Sequence, residues 1–200
     1  MPAPAIDEAL VEFSVDQRVI LPNANWSDYE AALKMRGESS AVRISYLEGV
    51  LEFMSPSRDH EMLKKKWARL LEAYCEELGI DLHAFGSWTL KKRKKERGAE
   101  PDECYSLDAD AKVPDVAIEV IWTSGGLDKL EIYRLLGVRE VWIWQRGKIS
   151  LHSLRGDNYE RIQTSQFLPQ IDLALLTRLL NEPSTQPEAV RELRKLLRSR

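Results

Sequence analysis

Two hundred residues, 44% apolar and 30% charged, suffice for one globular domain with a sizeable core. The formal net charge of -3 gives no global attraction to nucleic acid, so any polyanion-binding face has to be local. Two cysteines, Cys75 and Cys104, are too few for a disulfide framework or a zinc cluster; with no leader pattern and no membrane-length apolar run, the expectation is a cytoplasmic protein without membrane contact.

The first twenty residues have weak periodicity. Residues 26–35 read as a short helix capped by Asn25 or Ser27. Alternation over 42–53 around Glu48-Gly49 predicts a tight hairpin. Ser57 can cap the longest helix, 58–78, whose Leu63, Trp67, Leu70, Leu71, Tyr74 and Leu78 share one face before Gly79 stops it. Cys75 falls on that stripe as a packed thiol. Strands follow over 82–90 and 100–107, with a basic run between them, and Pro101 is tolerable near a strand start. Residues 113–122 are nearly continuously apolar, as in the centre of a covered sheet. Asp128 to Gly137 reads as a short helix. A hairpin over 141–154 turns at Arg146-Gly147, and a helix lies near 173–180. Residues 181–187 are linker-like, and Val190, Leu193, Leu196 and Leu197 mark an amphipathic tail helix.

The core order is therefore helix, strand, strand, strand, helix, strand. The first three strands pair through hairpins, and the third reaches the fourth through a helical crossover. This is an α/β fold, more closely an α+β mixed sheet with helices on its faces. Residues 1–180 are expected as a single domain, and 181–200 as a linker with a tail helix.

Lys129 starts the apolar stripe of its helix, three, four and seven residues before Ile132, Tyr133 and Leu136. A lysine there needs a carboxylate, and Glu119 in the preceding strand supplies one. The structural alternative is a plain Glu119–Lys129 ion pair. Asp102 enters a neighbouring strand. Two carboxylates from adjacent strands make a hard oxygen site suited to Mg2+ or Mn2+, with Asp102 and Glu119 as metal ligands. Such an ion polarises a phosphoryl oxygen and activates water, while Lys129 orients the water or stabilises charge on phosphorus. The bland reading of Asp102 is an exposed turn residue.

Glu100-Pro-Asp102, Pro114-Asp-Val-Ala-Ile-Glu-Val120, Lys129-Leu-Glu-Ile-Tyr133 and Gly137-Val-Arg-Glu-Val-Trp142 together resemble the restriction-endonuclease-like proteins of the Uma-two type, within the PD-(D/E)XK nuclease superfamily. The Tyr46-Leu-Glu-Gly-Val-Leu51 hairpin and Ser55-Pro-Ser-Arg-Asp-His60 resemble that family's opening, and the likeness runs roughly over residues 40–180. It implies that Asp102 is the aspartate of the first half-motif and Glu119 the acid of the second. The superfamily lysine usually stands two residues after that acid. Ile121 stands there in this chain, so the resemblance implies that the lysine has moved to Lys129.

His60 starts the apolar face of the long helix and is a candidate extra ligand or proton handler, although a histidine closing a packed helix is the preferred reading. Glu48 is most simply a turn residue, which the resemblance raises to a supporting carboxylate. The run of Lys91, Lys92, Arg93, Lys94, Lys95, Glu96 and Arg97 could grip phosphates or merely solvate a hairpin tip. Trp88 and Trp122 could stack bases, with core packing preferred for both. The expected function is a magnesium- or manganese-dependent endonuclease acting on DNA. The competing functions are a catalytically silent nucleic-acid- or partner-binding module and a hydrolase for another phosphoester. The resemblance also implies a homodimer, for which the tail helix is one candidate contact; packing on its own chain is the alternative.

Overall fold

Two β-sheets enclose a short helix in the computed structural model, which describes residues 15–199. The first sheet has strand order β1-β3-β2-β6-β5, all neighbours antiparallel: β1 is Gln17–Pro22, β2 Arg43–Leu47, β3 Val50–Ser55, β5 Leu90–Lys92 and β6 Arg97–Ala99. The second has order β11-β10-β9-β8-β7-β4: β4 is His83–Ala84, β7 Glu103–Ser106, β8 Val116–Ile121, β9 Glu140–Gln145, β10 Lys148–Arg155 and β11 Asn158–Ile162. Only β8 and β9 pair in parallel there, and the helix joining them, α3 (Lys129–Leu136), is the one between the sheets. Helix α1 (Trp26–Arg36) covers the outer face of the first sheet. Helices α2 (Arg58–Leu78), α4 (Leu173–Asn181) and α5 (Gln186–Arg198) cover the outer face of the second.

Strand alternation explains the layers. In β2, Ile44 and Tyr46 pack against Trp26 and Tyr29 of α1, so Arg43 and Ser45 point toward the other sheet. In β8, Val116, Ile118 and Val120 join the core under α2, while Ala117 and Ile121 face α3. Asn25 caps α1 in a capping box with Asp28, Ser57 caps α2, and Asp128 caps α3. The β2–β3 turn holds Glu48 at φ 42° and Gly49 at φ 88°, as a two-residue hairpin loop requires.

The predicted order of core elements is present as α2, β4, β7, β8, α3 and β9. Its limits differ in places. The strand expected over 82–90 is broken: His83–Ala84 pairs with β7, and Leu90 belongs to the first sheet. The chain crosses between sheets in the intervening residues, where Gly86 has φ 60°. The basic run is thus a hairpin of the first sheet, with a single 3-10 turn at Arg93–Lys95. The strand expected over 100–107 shortens to Glu103–Ser106 after Pro101, which has no N–H to give a ladder. Strands β1 and β11 were not expected; both lie at sheet edges with mostly exposed side chains, so they carry little apolar signal. Leu78 is exposed at the end of α2, and Trp122, expected in the core, is 37% exposed while stacked on Trp144. Trp88 packs beside Phe85. Cys75 is buried, as expected. The tail helix packs along α2, with Leu193 fully buried and Arg194 and Arg198 paired to Glu76 and Glu77. Among the described residues, no helix is long and apolar enough to cross a membrane.

Candidate active site

The β7–β8 register pairs Glu103 with Ile118 and Cys104 with Ala117, so one further step sets Asp102 opposite Glu119. Two bonds hold it there: the Asp102 N–H donates to the Ile118 carbonyl at 3.2 Å, and the Val120 N–H donates to Asp102 Oδ2 at 2.8 Å. Both carboxylates are buried, on the face of the sheet that looks toward α3 and β2.

Helix α3 brings two groups to Glu119. The Tyr133 hydroxyl donates to Glu119 Oε1, and the Lys129 amine stands 3.9 Å from the same oxygen. Residues four apart share a helix face, which puts both within reach. Lys129 also donates to Ser45 Oγ at 2.9 Å, so its amine lies between the sheets. Burial pushes the Glu119 carboxyl up to about 7; the Asp102 charge adds to that rise, against the pull of Lys129 and Tyr133.

His60 is fully buried in the first turn of α2. Its Nδ1 lies 3.2 Å from the Asp16 carboxylate and its Nε2 3.1 Å from Asp102 Oδ1. Burial disfavours the charged ring, but Asp102 and Asp16 outweigh burial and raise His60 to about 9. Burial likewise acts to raise Asp102, yet His60, the Val120 N–H and Arg43, whose Nε is 3.8 Å away, leave it lowered.

The loop that delivers Lys129 is tied down by the first sheet. Arg18 donates to the Thr123 carbonyl at 2.5 Å, and Glu52 accepts the Leu127 N–H at 3.0 Å. Gly126 passes so close that a Cβ there would stand 2.7 Å from Glu52 Oε2, which only glycine permits without movement.

Asp102, Glu119, Lys129 and His60 therefore converge. Glu48 does not join them; it is exposed in its turn and pairs with Arg97 at 2.7 Å. Lys91 to Lys95 project from an exposed hairpin. Sequence reading missed Asp16, Arg18, Arg43, Ser45, Glu52 and Tyr133. Tyr133 carried a signal, because a tyrosine on a buried stripe needs a partner for its hydroxyl. Arg43 and Ser45 did too, as polar residues on the inward phase of a strand.

Two carboxylates facing one another on adjacent strands are the donors that magnesium and manganese prefer. The raised Glu119 carboxyl records like charge held close and buried, which a divalent cation would relieve. Among the described residues, no group of three or more His, Cys, Asp or Glu side chains could hold a metal ion. The donor set thus fits a hard cation bound by two carboxylates and completed by water or substrate oxygens, which is magnesium's usual habit.

Comparison with known proteins finds a fold likeness and a family. The crystal structure of "a putative nuclease belonging to DUF820" from Anabaena variabilis is similar at a TM-score of 0.50 and 11% identity, over 82% of this chain and 98% of that one, a likeness of fold. No curated protein matches the chain. The family described as "Uma2: Putative restriction endonuclease" matches residues 26–183, a span that holds His60, Asp102, Glu119 and Lys129, and the chain belongs to that family.

Proposed function

We propose that the protein is a metal-dependent endonuclease that hydrolyses DNA phosphodiester bonds. The observation that carries this reading is that buried Asp102, just ahead of β7, lies close enough to Glu119 of β8 for its charge to be felt there, with the Lys129 amine 3.9 Å from Glu119. Asp102 and Glu119 would hold Mg2+ or Mn2+, which supplies polarisation of a phosphoryl oxygen and a more acidic water.

The chain's own residues do the rest. Ser45 fixes the Lys129 amine at the mouth of the carboxylate pair, where a cation stabilises charge gathering on phosphorus. Tyr133 holds Glu119 in place by its hydroxyl. His60, kept charged by Asp16 and Asp102, fixes the Asp102 carboxylate. The exposed cations from Lys91 to Lys95 add attraction for the DNA backbone. The superfamily's habit of cutting as a dimer extends to a homodimer here.

One observation favours a second reading, a catalytically silent binding module. The Asp102 charge is already met by His60 and Arg43, as in a purely structural network. Nicking of supercoiled plasmid separates the two. The nuclease reading expects nicking that needs Mg2+ or Mn2+, stops with chelator, and is lost in Glu119→Gln and Lys129→Ala. A wild type that binds DNA yet never nicks it in either metal supports the silent module.

A further inference from the structure

A cationic groove lies on the same sheet face as Glu119. Strand registers place it: Glu119 pairs with Ile143, Ile143 with Ser150, Gln145 with Lys148, and His152 with Arg161. Side chains two apart share a face, so Ile121, Ser150, Lys148, His152 and Arg161 all lie on the face that carries Glu119. These residues line a cavity of about 560 Å3. Arg146 enters from the β9–β10 turn, and Leu130, the residue after Lys129, forms one wall.

The charge is one-sided. Among the described residues, no Asp or Glu lines the cavity, and Arg146, Lys148 and Arg161 make no ion pair. All three are exposed. His152 is held below its usual range first by burial and then by the neighbouring Arg161 charge. Elsewhere the chain pairs its cations freely, as in Arg134 with Glu131 and Arg178 with Glu182. Three unpaired cations around one concavity, in a chain of net charge -3, ask for an anionic occupant.

We propose that the groove lined by Arg146, Lys148 and Arg161 binds the phosphodiester backbone of the nucleic acid whose cleavage site lies at Asp102 and Glu119. This rests on the nuclease reading for what happens at the carboxylates, but not for the binding itself. The spacing is suitable. Ser150 is two strands from Glu119, about 10 Å at the usual strand separation. A duplex strand carries a phosphate about every 3.4 Å of axis, so a backbone seated at one cluster has neighbouring phosphates within reach of the other. The groove lies in the second sheet, whereas Lys91 to Lys95 project from the first, so the two clusters flank α3 as separate contacts.

The test is the salt dependence of binding to a fluorescent duplex, measured by anisotropy in chelator so that nothing is cut. Each phosphate neutralised contributes about 0.9 to the slope of log K against log salt. The triple variant Arg146→Ala, Lys148→Ala, Arg161→Ala is expected to lower that slope by about 2 to 3 and to weaken binding at least 10-fold. The charge-keeping variant Lys148→Arg, Arg161→Lys is expected to retain it. Polyglutamate of equal length should compete poorly. An unchanged slope in a folded triple variant, no duplex binding by the wild type, or equal capture of polyglutamate overturns the proposal. Plasmid nicking run in parallel keeps the two ideas apart. Nicking with an unchanged slope sinks the groove alone, and a reduced slope without nicking by any form sinks the nuclease alone.

Discussion

The Ser45 hydroxyl holds the Lys129 amine at 2.9 Å, tying the middle of one sheet to the helix that feeds the other. Removing that hydroxyl frees a long side chain whose nearest carboxylate contact is a looser 3.9 Å. Ser45→Ala should lower plasmid nicking about 10-fold, the equivalent of about 1.4 kcal/mol in the barrier. Ser45→Thr should keep most activity. Equal rates for Ser45→Ala and wild type would show that Lys129 needs no such anchor.

The two buried carboxylates should respond in opposite ways to neutralisation. Glu119→Gln removes a charge that burial disfavours, so stability in chelator should hold or rise. Asp102→Asn takes one of two acidic neighbours from each of His60 and Arg43, leaving them Asp16 and Glu61, and should cost about 3 kcal/mol. Urea unfolding of both variants checks this, and equal destabilisation would contradict it. Cleavage should be lost in each.

The pH dependence follows from two raised values. Glu119 stands at about 7 in the fold, above the ordinary 4.5, and His60 at about 9, above 6.5. A raised value means that the folded state holds its proton more tightly. That stability is complete below the ordinary value and lost as pH rises through the folded one. Thermal midpoints in chelator should therefore fall from about pH 4.5 to about pH 9. Glu119→Gln should flatten the lower half of that decline. If Asp102 and Glu119 hold Mg2+ as proposed, adding it should raise the midpoint more at pH 8 than at pH 5.5, because the ionised pair would bind it and the protonated one would not. A midpoint that rises across this range would contradict the assignment.

Leu193 of the tail helix is fully buried against α2. Leu193→Ala should cost about 2–5 kcal/mol, the usual range for a buried leucine. A near-neutral effect by urea unfolding would show that the tail helix contributes little to the fold.

Much of this molecule is legible in its sequence where the signal is local. Ser57 before the stripe of Leu63, Trp67 and Leu70 sets α2, and Glu48-Gly49 sets its hairpin. Lys129 and Glu119 were paired from periodicity alone, since each broke an apolar pattern. Asp102 was a weak candidate beside Glu119, which the resemblance strengthened, because an aspartate after Pro101 looks like an ordinary turn residue. Asp16 was not legible: its partners Ser57 and His60 lie 41 and 44 positions away, and nothing around it repeats. The groove cations on β10 and β11 were equally hidden. Lys148 and Arg161 come together only through strand registers, whereas Lys91 to Lys95 stand out as a run.

Asp16 and Arg18 lie before residue 26, where the family match begins. A fragment cut to the matched span would lose the carboxylate at His60 Nδ1 and the arginine that grips the Thr123 carbonyl, along with α5 beyond residue 183. Every acid and lysine of the family pattern would still be present, yet the histidine would have one neighbouring charge instead of two. Trimmed relatives that look inert in solution would then report on their missing edge strand, not on their chemistry.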